Sequence, residues 1–264
     1  MNYELRNKGF SLTEVLMAIG IFSVAMIFIA GAFPVAIHFA NIASEQTIAA
    51  VVADEAFAKI RLYGVNPADP NMLSGPTRPR QVPFYNVRAA DIDPNEFAYP
   101  SDSAVDKQYY WSAICRKIDV NDVQVTVFVS RKIGAVAEYY VRDYTNWPKL
   151  VTVRYPAAVP VWVQFQAGDN KDEIIVRDIY TLDDIKDWTF INDGCTIVED
   201  STGQVYRVLQ KYVDTAGTNR AQLDKVWNVN GTYPPVNNYI WVIPPPVNGG
   251  RYPCVGVFQK VIRF

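Results

Sequence analysis

The order of apolar and polar residues divides the chain into a uniformly apolar stretch, an amphipathic stretch, and a long series of short alternating runs. The first stretch, Val15 to Phe33, contains no Asp, Glu, Lys, Arg, Asn, Gln or Pro. At about 1.5 Å of helical rise per residue, it is long enough to cross a hydrocarbon core of about 30 Å. Only a helix satisfies every backbone polar group of such a segment in lipid. We therefore predict a transmembrane helix over residues 10–34.

The second region begins beyond Pro34, where an apolar stripe replaces the uniform pattern. Its members recur at three-, four- and seven-residue spacing and are Ile42, Ala49, Val52, Ala56, Ile60 and Tyr63. Glu55 precedes Lys59 by four residues, which is the favourable order for a helical ion pair. We expect one helix over residues 10–63, with a kink near Pro34 and Gly64 as its C-cap.

The third region is rich in strand-forming residues. Seven prolines between residues 64 and 108 exclude a long helix or a central strand, so we expect an irregular connection there. A hairpin follows, with strands at Tyr109–Ile118 and Val123–Ser130 joined by a turn at Asp119–Asp122. The alternate valines from Val123 to Val129 share one face, which we expect to pack against the amphipathic half of the helix.

Pro156 and Pro160 mark a break that we interpret as a subdomain boundary. The short segments beyond it are regularly spaced, which favours an antiparallel sheet, a sandwich or a small barrel, with Asp200–Gly203 as a tight hairpin turn. The remaining expected elements are a helical turn at 139–143 and strands at 150–155, 161–166, 174–180, 188–191, 196–199, 204–212, 222–228, 239–243 and 256–264.

Charge predicts the orientation of the span. Arg6 and Lys8 precede it and no basic residue follows it closely, and basic residues favour the cytoplasmic side. We therefore place the leader in the cytoplasm and the C-terminal head outside. The 25 Lys and Arg and the 27 Asp and Glu are interspersed, so no nucleic-acid surface is expected.

The segment Gly9-Phe10-Ser11-Leu12-Thr13-Glu14-Val15 resembles the cleavage and methylation motif of type IV prepilins. The residues that follow Glu14 look most like the minor pilins and minor pseudopilins of the V and I/J types. The resemblance covers roughly residues 6–63. It implies that a prepilin peptidase cuts between Gly9 and Phe10 and methylates the new N-terminus. It also implies that Glu14 guides assembly into a helical filament.

Glu14 is the only formally charged residue between Lys8 and Glu45. An ionised carboxylate costs about 2.5–3.5 kcal/mol at the centre of a bilayer and less near its surface. A cut after Gly9 creates an amine at Phe10, which a neighbouring subunit could present to Glu14. At about 4 Å and an effective dielectric of about 20, the attraction is about 4 kcal/mol, enough to offset the burial cost. The alternative is that Glu14 simply reaches the lipid headgroups.

Other interpretations of the N-terminal segment are an ordinary signal peptide cut after Ala32 and an uncut membrane anchor. The length of the apolar run and the acid within it argue against a signal peptide. With either interpretation the chain would be a membrane-anchored or secreted β-rich module that binds a glycan or a protein. Its tryptophans and tyrosines could form such a binding surface, or they could belong to the core of the sheets.

The sequence contains little that predicts catalysis. His38, the only histidine, lies on the predicted helix at the membrane exit, so a Ser/His/Asp or Cys/His centre in the head is excluded. Residues 91–96 carry the opening acids of a calcium loop, but Glu96 stands where that loop needs glycine. The cysteines form no CxxC pair, which argues against zinc and leaves both a disulfide and buried free thiols open. We expect no enzyme activity, no cofactor and no metal.

Together these patterns predict an α+β, pilin-like fold: a long, kinked N-terminal helix packed on an antiparallel β-sheet, with an additional β-rich C-terminal subdomain. The expected organisation is a leader at 1–9, a spine helix at 10–63, a pilin-type head at 64–155 and the β-rich subdomain at 156–264. Because a large head leaves little room for close packing of identical copies, we expect a minor or tip-associated structural subunit. The filament would be a type IV pilus or a type II secretion pseudopilus.

The expected partners are the prepilin peptidase, other pilin or pseudopilin subunits, and the lipid of the inner membrane before assembly. We expect a single-pass protein of the inner membrane with an extracytoplasmic head. After assembly it would lie in a filament in the periplasm or at the cell surface.

Overall fold

The structure is a computed structural model that contains one long N-terminal helix followed by a β-rich body, which confirms the α+β class. The chain divides into two compact units, one that ends at Thr47 and one that runs from Ile48 to Phe264. The residues described are 9–73, 78–87, 92–101, 107–134, 136–143, 147, 149–165, 171–178, 185–227 and 237–264.

Helix α1 (Leu12–Tyr63) contains 52 residues and matches the predicted helix closely at both ends. It ends as expected, because Gly64 adopts a φ of +78° and its N–H donates to the Ile60 carbonyl at 2.9 Å. Pro34 lies inside the helix, and the kink expected there stays a prediction. Ser23 satisfies its hydroxyl within the apolar stretch by donating to the Ile19 carbonyl at 2.8 Å.

The body contains thirteen strands within the described residues. In chain order they are β1 (Val82–Pro83), β2 (Ala98–Tyr99), β3 (Tyr109–Lys117), β4 (Asp122–Arg131), β5 (Tyr139–Arg142), β6 (Leu150–Val153), β7 (Val159–Gln164), β8 (Glu173–Val176), β9 (Thr196–Glu199), β10 (Val205–Val213), β11 (Asn219–Leu223), β12 (Asn237–Val242) and β13 (Cys254–Arg263). The short helices are α2 (Phe84–Val87) and three 3₁₀ helices at Pro70–Leu73, Pro94–Phe97 and Asp187–Phe190.

The first sheet has the strand order β1-β3-β4-β13, and β2 also pairs with β3. The predicted hairpin is confirmed, since β3 and β4 pair antiparallel with Trp111 opposite Val129. Among its described residues, the proline-rich connection contributes two strands of two residues each, which pair with β3 along one edge. The last strand, β13, returns to pair with β4, with Val257 opposite Phe128. It therefore belongs to the first sheet and not to the series of strands that precedes it.

Six of the strands that follow β6 close into an antiparallel barrel in the order β10-β11-β8-β7-β12-β9. Of the three arrangements that the strand spacing allowed, the structure shows the barrel. The expected hairpin turn at Asp200–Gly203 is present between β9 and β10.

Two expected elements have the wrong type, and the strand expected at 222–228 is displaced because β11 ends at Leu223. Residues 188–191 are not a strand, because Thr189 donates both its N–H and its hydroxyl to the Lys186 carbonyl and so forms a 3₁₀ turn. Residues 139–143 are not a helical turn. The tyrosines and the valine of β5 have high strand propensity, and β5 pairs with β6 in a separate two-stranded sheet.

The body has three buried apolar clusters. The first contains the helix residues Ala49, Val52, Ala53, Ala56, Phe57 and Ile60 together with the alternate valines of β4, Val123, Val125, Val127 and Val129. The second fills the barrel with side chains such as Val161, Ile197 and Ile240. The third lies between sheet and barrel and includes Phe128 and Trp241. The apolar stripe of the helix and the valine face of β4 therefore belong to one buried cluster.

Hydrogen bonds to the β9–β10 turn also connect the first sheet, the proline-rich connection and the barrel. The buried carboxylate of Asp200, in the β9–β10 turn, accepts hydrogen bonds from Arg80 N at 2.7 Å, Gln81 N at 3.0 Å and Trp241 Nε1 at 2.8 Å. On β3, Arg116 donates to the carbonyls of Ser201 and Thr202 in the same turn. Burial raises the pKa of Asp200 to about 6, although its three N–H donors favour the ionised form.

Candidate functional site at the start of the helix

Helix α1 begins in a reciprocal hydrogen-bonded cap formed by Ser11 and Glu14. The Ser11 amide and hydroxyl donate to Oε2 of Glu14 at 2.9 and 3.0 Å, and the Glu14 amide donates to the Ser11 hydroxyl at 3.3 Å. The first helical bond follows from Val15 N to the Ser11 carbonyl at 3.2 Å. This is the capping box that a serine and a glutamate three residues later form at a helix start. Both side chains are exposed in the chain.

The cap explains how Glu14 can stand beside an apolar segment in a single copy of the chain. Its carboxylate satisfies donors at the helix N-terminus, where the helix dipole favours a negative charge. This cap was not predicted from the sequence, where the expected partners of Glu14 were a neighbour's amine or the lipid headgroups. The signal was present, because Ser11-Leu12-Thr13-Glu14 has the S-x-x-E spacing of a capping box.

The proposed processing residues, Gly9 and Phe10, lie immediately before the cap. Both are exposed, and the Phe10 side chain is 87% exposed. A Cβ added to Gly9 would meet nothing within 4 Å, so the fold itself does not require glycine at this position. Residues 1–8 of the leader lie outside the described residues. The peptide bond between Gly9 and Phe10 is therefore accessible, and a cut there would create an amine one residue before Ser11.

The helix behind the cap presents apolar side chains on all sides. Every residue from Ser11 to Asn41 is exposed, including Ile27 and Phe28. By length and composition, α1 is the one helix among the described residues that could cross a membrane. His38 lies in this exposed stretch, with its ring centroid 6.1 Å from that of Phe39. Its location at the membrane exit stays a prediction.

The acids of the body that the structure describes are largely engaged in structural contacts. Arg220 pairs with Asp214 at 2.7 Å and with Glu173 at 3.5 Å. Asp187 forms a buried ion pair with Arg142. Asp169, Asp183 and Asp184 lie outside the described residues.

In the structure, residues of the calcium-loop pattern at 91–96 form a helix cap and an ion pair. Asp93 caps the 3₁₀ helix Pro94–Phe97 by accepting from Asn95 N at 2.8 Å. Glu96 pairs with Lys59 at 3.0 Å, and Lys59 also forms the expected i,i+4 pair with Glu55 at 2.9 Å. Asp91 and Asp102 lie outside the described residues. Within the parts of the chain that the structure describes, no group of three His, Cys, Asp or Glu residues could hold a metal ion.

All three cysteines are free thiols. The sequence left a disulfide and buried free thiols open, and the structure shows thiols. Cys115 and Cys195 are buried, and Cys254 is partly buried. Burial raises the pKa of each thiol to about 12. The thiols are therefore protonated at neutral pH and unreactive as nucleophiles.

The sequence model of the family described as the prokaryotic N-terminal methylation motif matches residues 5–30 of the chain. The match includes Gly9, Phe10, the Ser11–Glu14 cap and most of the predicted span. Comparison with curated proteins and with solved structures gives no match. Proteins that carry this motif as pilins are structural subunits, and the motif together with the long apolar helix supports membrane anchoring and assembly with other pilins. The match is confined to the N-terminal segment of the chain, and it supports a type IV prepilin-like protein.

Proposed function

We propose that the chain is a minor or tip-associated subunit of a type IV pilus or of a type II secretion pseudopilus. The observation that carries the proposal is the methylation motif placed at the start of a helix whose first half exposes apolar side chains on every side. Such a surface is stable only in lipid or against other apolar helices. A precursor held in the inner membrane and a filament packed through its helices supply these two environments in turn.

Processing would follow from the accessibility of the Gly9–Phe10 bond. The prepilin peptidase cuts this bond from the cytoplasmic side and methylates the amine of Phe10. Ser11 keeps its amide after the cut, so the cap on Glu14 survives in the mature protein. In the membrane the cap hydrogen-bonds the Glu14 carboxylate within one chain. In the filament the amine of a neighbour's Phe10 adds an opposite charge, which fixes the axial stagger between subunits.

The size of the body supports the minor or tip-associated role. The second compact unit runs from Ile48 to Phe264 and holds a sheet, a closed barrel and a separate hairpin. Copies of such a unit on every helix of a closely packed filament would compete for space, whereas a subunit at the tip has room on one side. In this proposal the kinked helix of a pilin packs through Ala49–Ile60 on the first sheet, and the barrel is the additional subdomain.

Mass spectrometry of the mature N-terminus tests the proposal directly. A chain that begins with methylated Phe10 is the expected result. A start at Phe33 would identify a signal peptide, and a start at Met1 would identify an uncut anchor. Either start would overturn the proposal and favour the membrane-anchored or secreted binding module.

A matched pair of glycine substitutions separates processing from folding. Gly9→Val should block the cut, because the peptidase reads this position, while the fold has open space there. Gly20→Val is the control, since a Cβ at Gly20 also meets nothing within 4 Å. The control should be processed normally. Equal processing of the two variants would contradict a cut at Gly9.

A further inference from the structure

Strand β13 forms one edge of the first sheet and leaves that edge open near its C-terminal end. Its pairing partner is β4, and the other side of the sheet is occupied by β1 and β2 on β3. Gln259, Lys260, Val261 and Arg263 are all exposed, whereas the first half of the strand is half-buried. Among the described residues, nothing pairs with the outer side of Gln259 to Arg263.

The register identifies which main-chain groups point away from the sheet. In an antiparallel pair, residues that exchange hydrogen bonds with their partner alternate with residues that do not. Phe264 N donates to the Asn121 carbonyl at 2.9 Å, so Phe264 is a bonded position. Two and four residues earlier, Ile262 faces Val123 and Lys260 faces Val125 in the same alternation.

The N–H and C=O groups of the intervening residues, Gln259, Val261 and Arg263, must therefore point outward. The other end of the β4–β13 pair supports this register, because Arg131 N donates to the Pro253 carbonyl at 2.8 Å. At both ends, the odd-numbered residues of β4 are therefore the ones that bond to β13. Three donor and acceptor pairs thus stand in a row on the open edge, which is the template for an added strand.

The charge of β13 indicates what kind of strand fits. The sequence from Cys254 to Phe264 contains Lys260 and Arg263 and no acid. The two cations stand three residues apart and so project on opposite faces of the sheet. The Lys260 ammonium lies 5.6 Å from the centroid of the Phe57 ring, which holds it beside the edge. A second copy of β13 would bring like charges onto neighbouring strands, and this disfavours self-pairing.

We propose that the edge from Gln259 to Arg263 binds an extended acidic segment of a different filament subunit by strand addition. The partner segment would carry two acids three residues apart, one for each cation. This interaction rests on the proposed function, because it requires a neighbouring subunit. It gives the body a directional contact in addition to the packing of the N-terminal helices.

Hydrogen exchange resolved to single residues tests the proposal on the full-length protein. The exchange rates of β13 amides are compared between the detergent-solubilised chain and filaments that contain it. The outward amides of Gln259, Val261 and Arg263 should slow by about 100-fold or more on assembly. The inward amides of Lys260 and Ile262 should be protected in both states, and they serve as the internal reference.

Two pairs of variants test the hydrogen bonds and the charge separately. Val261→Pro removes one outward N–H and no bond to β4, and Val261→Ala shortens the same side chain while keeping the N–H. Arg263→Glu reverses one charge, and Arg263→Lys keeps it. We expect Val261→Pro and Arg263→Glu to lower incorporation into filaments at least about fivefold, and the two controls to incorporate normally.

The outcomes separate this proposal from the proposed function. Filaments that contain the chain but leave the outward amides in fast exchange would overturn strand addition alone. If protection of the outward amides from exchange rose with the concentration of the solubilised chain, the edge would bind a second copy. That result would overturn the acidic partner. Normal incorporation of Arg263→Glu would also overturn the acidic partner. A chain with unprocessed Met1 that never enters filaments would overturn the proposed function, and this inference with it.

Discussion

The two halves of helix α1 are both rich in apolar residues, but those side chains are exposed in the first half and buried in the second. From Leu12 to Phe39 the large apolar side chains are exposed, and Ile27 is 72% exposed. From Ala49 to Ile60 an apolar stripe is buried, with Val52, Ala56 and Ile60 at 0% exposure. The first half is apolar all round, whereas the second has a polar face. The pattern around the helix, and not its apolar content, therefore separates a surface for lipid or other subunits from one satisfied within the chain.

Placing a charge in the buried stripe is the most severe way to test this comparison. Ile60→Asp puts a carboxylate into the first cluster of the body, where Ile60 is fully buried. The expected loss is about 4–5 kcal/mol or more, which is a large part of the roughly 5–15 kcal/mol free energy of unfolding of a typical domain. All six tryptophans lie at or beyond Trp111, so their fluorescence during urea unfolding reports on the body alone.

The control for Ile60→Asp is Leu62→Asp, two residues later on the same helix. Leu62 is 83% exposed, so its substitution should change the free energy of unfolding by less than about 0.5 kcal/mol. Similar effects of the two substitutions would mean that the stripe is not buried in solution.

How far the sequence determines this structure depends on whether a signal is local. The end of α1 at Tyr63, the β3–β4 hairpin and the strand Thr196–Glu199 follow from periodicity and turn residues, and all three are present. The pairing of β13 with β4 depends on a partner strand more than 120 residues away. The alternation of apolar and polar residues along β13 does not identify that partner. Closure of the barrel likewise depends on which strands pair, and the spacing of the strands does not determine this. At the site, the cap on Glu14 is local and follows from the S-x-x-E spacing. The neighbour that we propose for Glu14 in a filament is not a property of one chain.

The corresponding charge in the exposed half of α1 should act on insertion and not on folding of the body. Val24 lies near the middle of the predicted span and is 54% exposed. Val24→Asp should disfavour membrane insertion by about 3 kcal/mol, whereas Val24→Ala should have little effect. Resistance of the protein to alkaline extraction from membranes measures the first effect. Urea unfolding of the body should be the same for both variants, and a shift specific to Val24→Asp would contradict the separation of roles.

Asp200, one of the buried acids of the body, makes a smaller contribution to stability that depends on pH. Burial raises the pKa of Asp200 from about 3.8 to about 6, so the folded state binds its proton more tightly than the unfolded state. The stabilisation is fully present below pH 4 and is lost as the pH rises through about 6. Its upper bound is about 3 kcal/mol, from about 1.4 kcal/mol per pKa unit.

Asp200→Asn isolates this contribution, because it keeps the shape of the side chain and removes its titration. The fall in unfolding free energy between pH 4 and pH 7 should be smaller in the variant than in the wild-type chain. The variant should also be less stable at both pH values, since an amide nitrogen cannot accept the bond from Arg80 N. An unchanged pH dependence would show that Asp200 stays ionised throughout and that its three N–H donors outweigh its burial.

The smallest expected effect distinguishes the cap that Glu14 forms with Ser11 from the role in assembly that we propose for Glu14. Ser11→Ala removes the hydroxyl of the cap and should weaken the first turn of α1 by about 1 kcal/mol, whereas Ser11→Thr should keep it. Faster exchange of the Glu14 amide, which donates to that hydroxyl, is the direct measurement. Ser11→Ala leaves the carboxylate free to meet a neighbour's amine, so it should still enter filaments, whereas Glu14→Ala removes both interactions and should not. If Ser11→Ala prevented assembly as fully as Glu14→Ala, the essential partner of Glu14 would be the serine of its own chain, and the charge pair between subunits would be unnecessary.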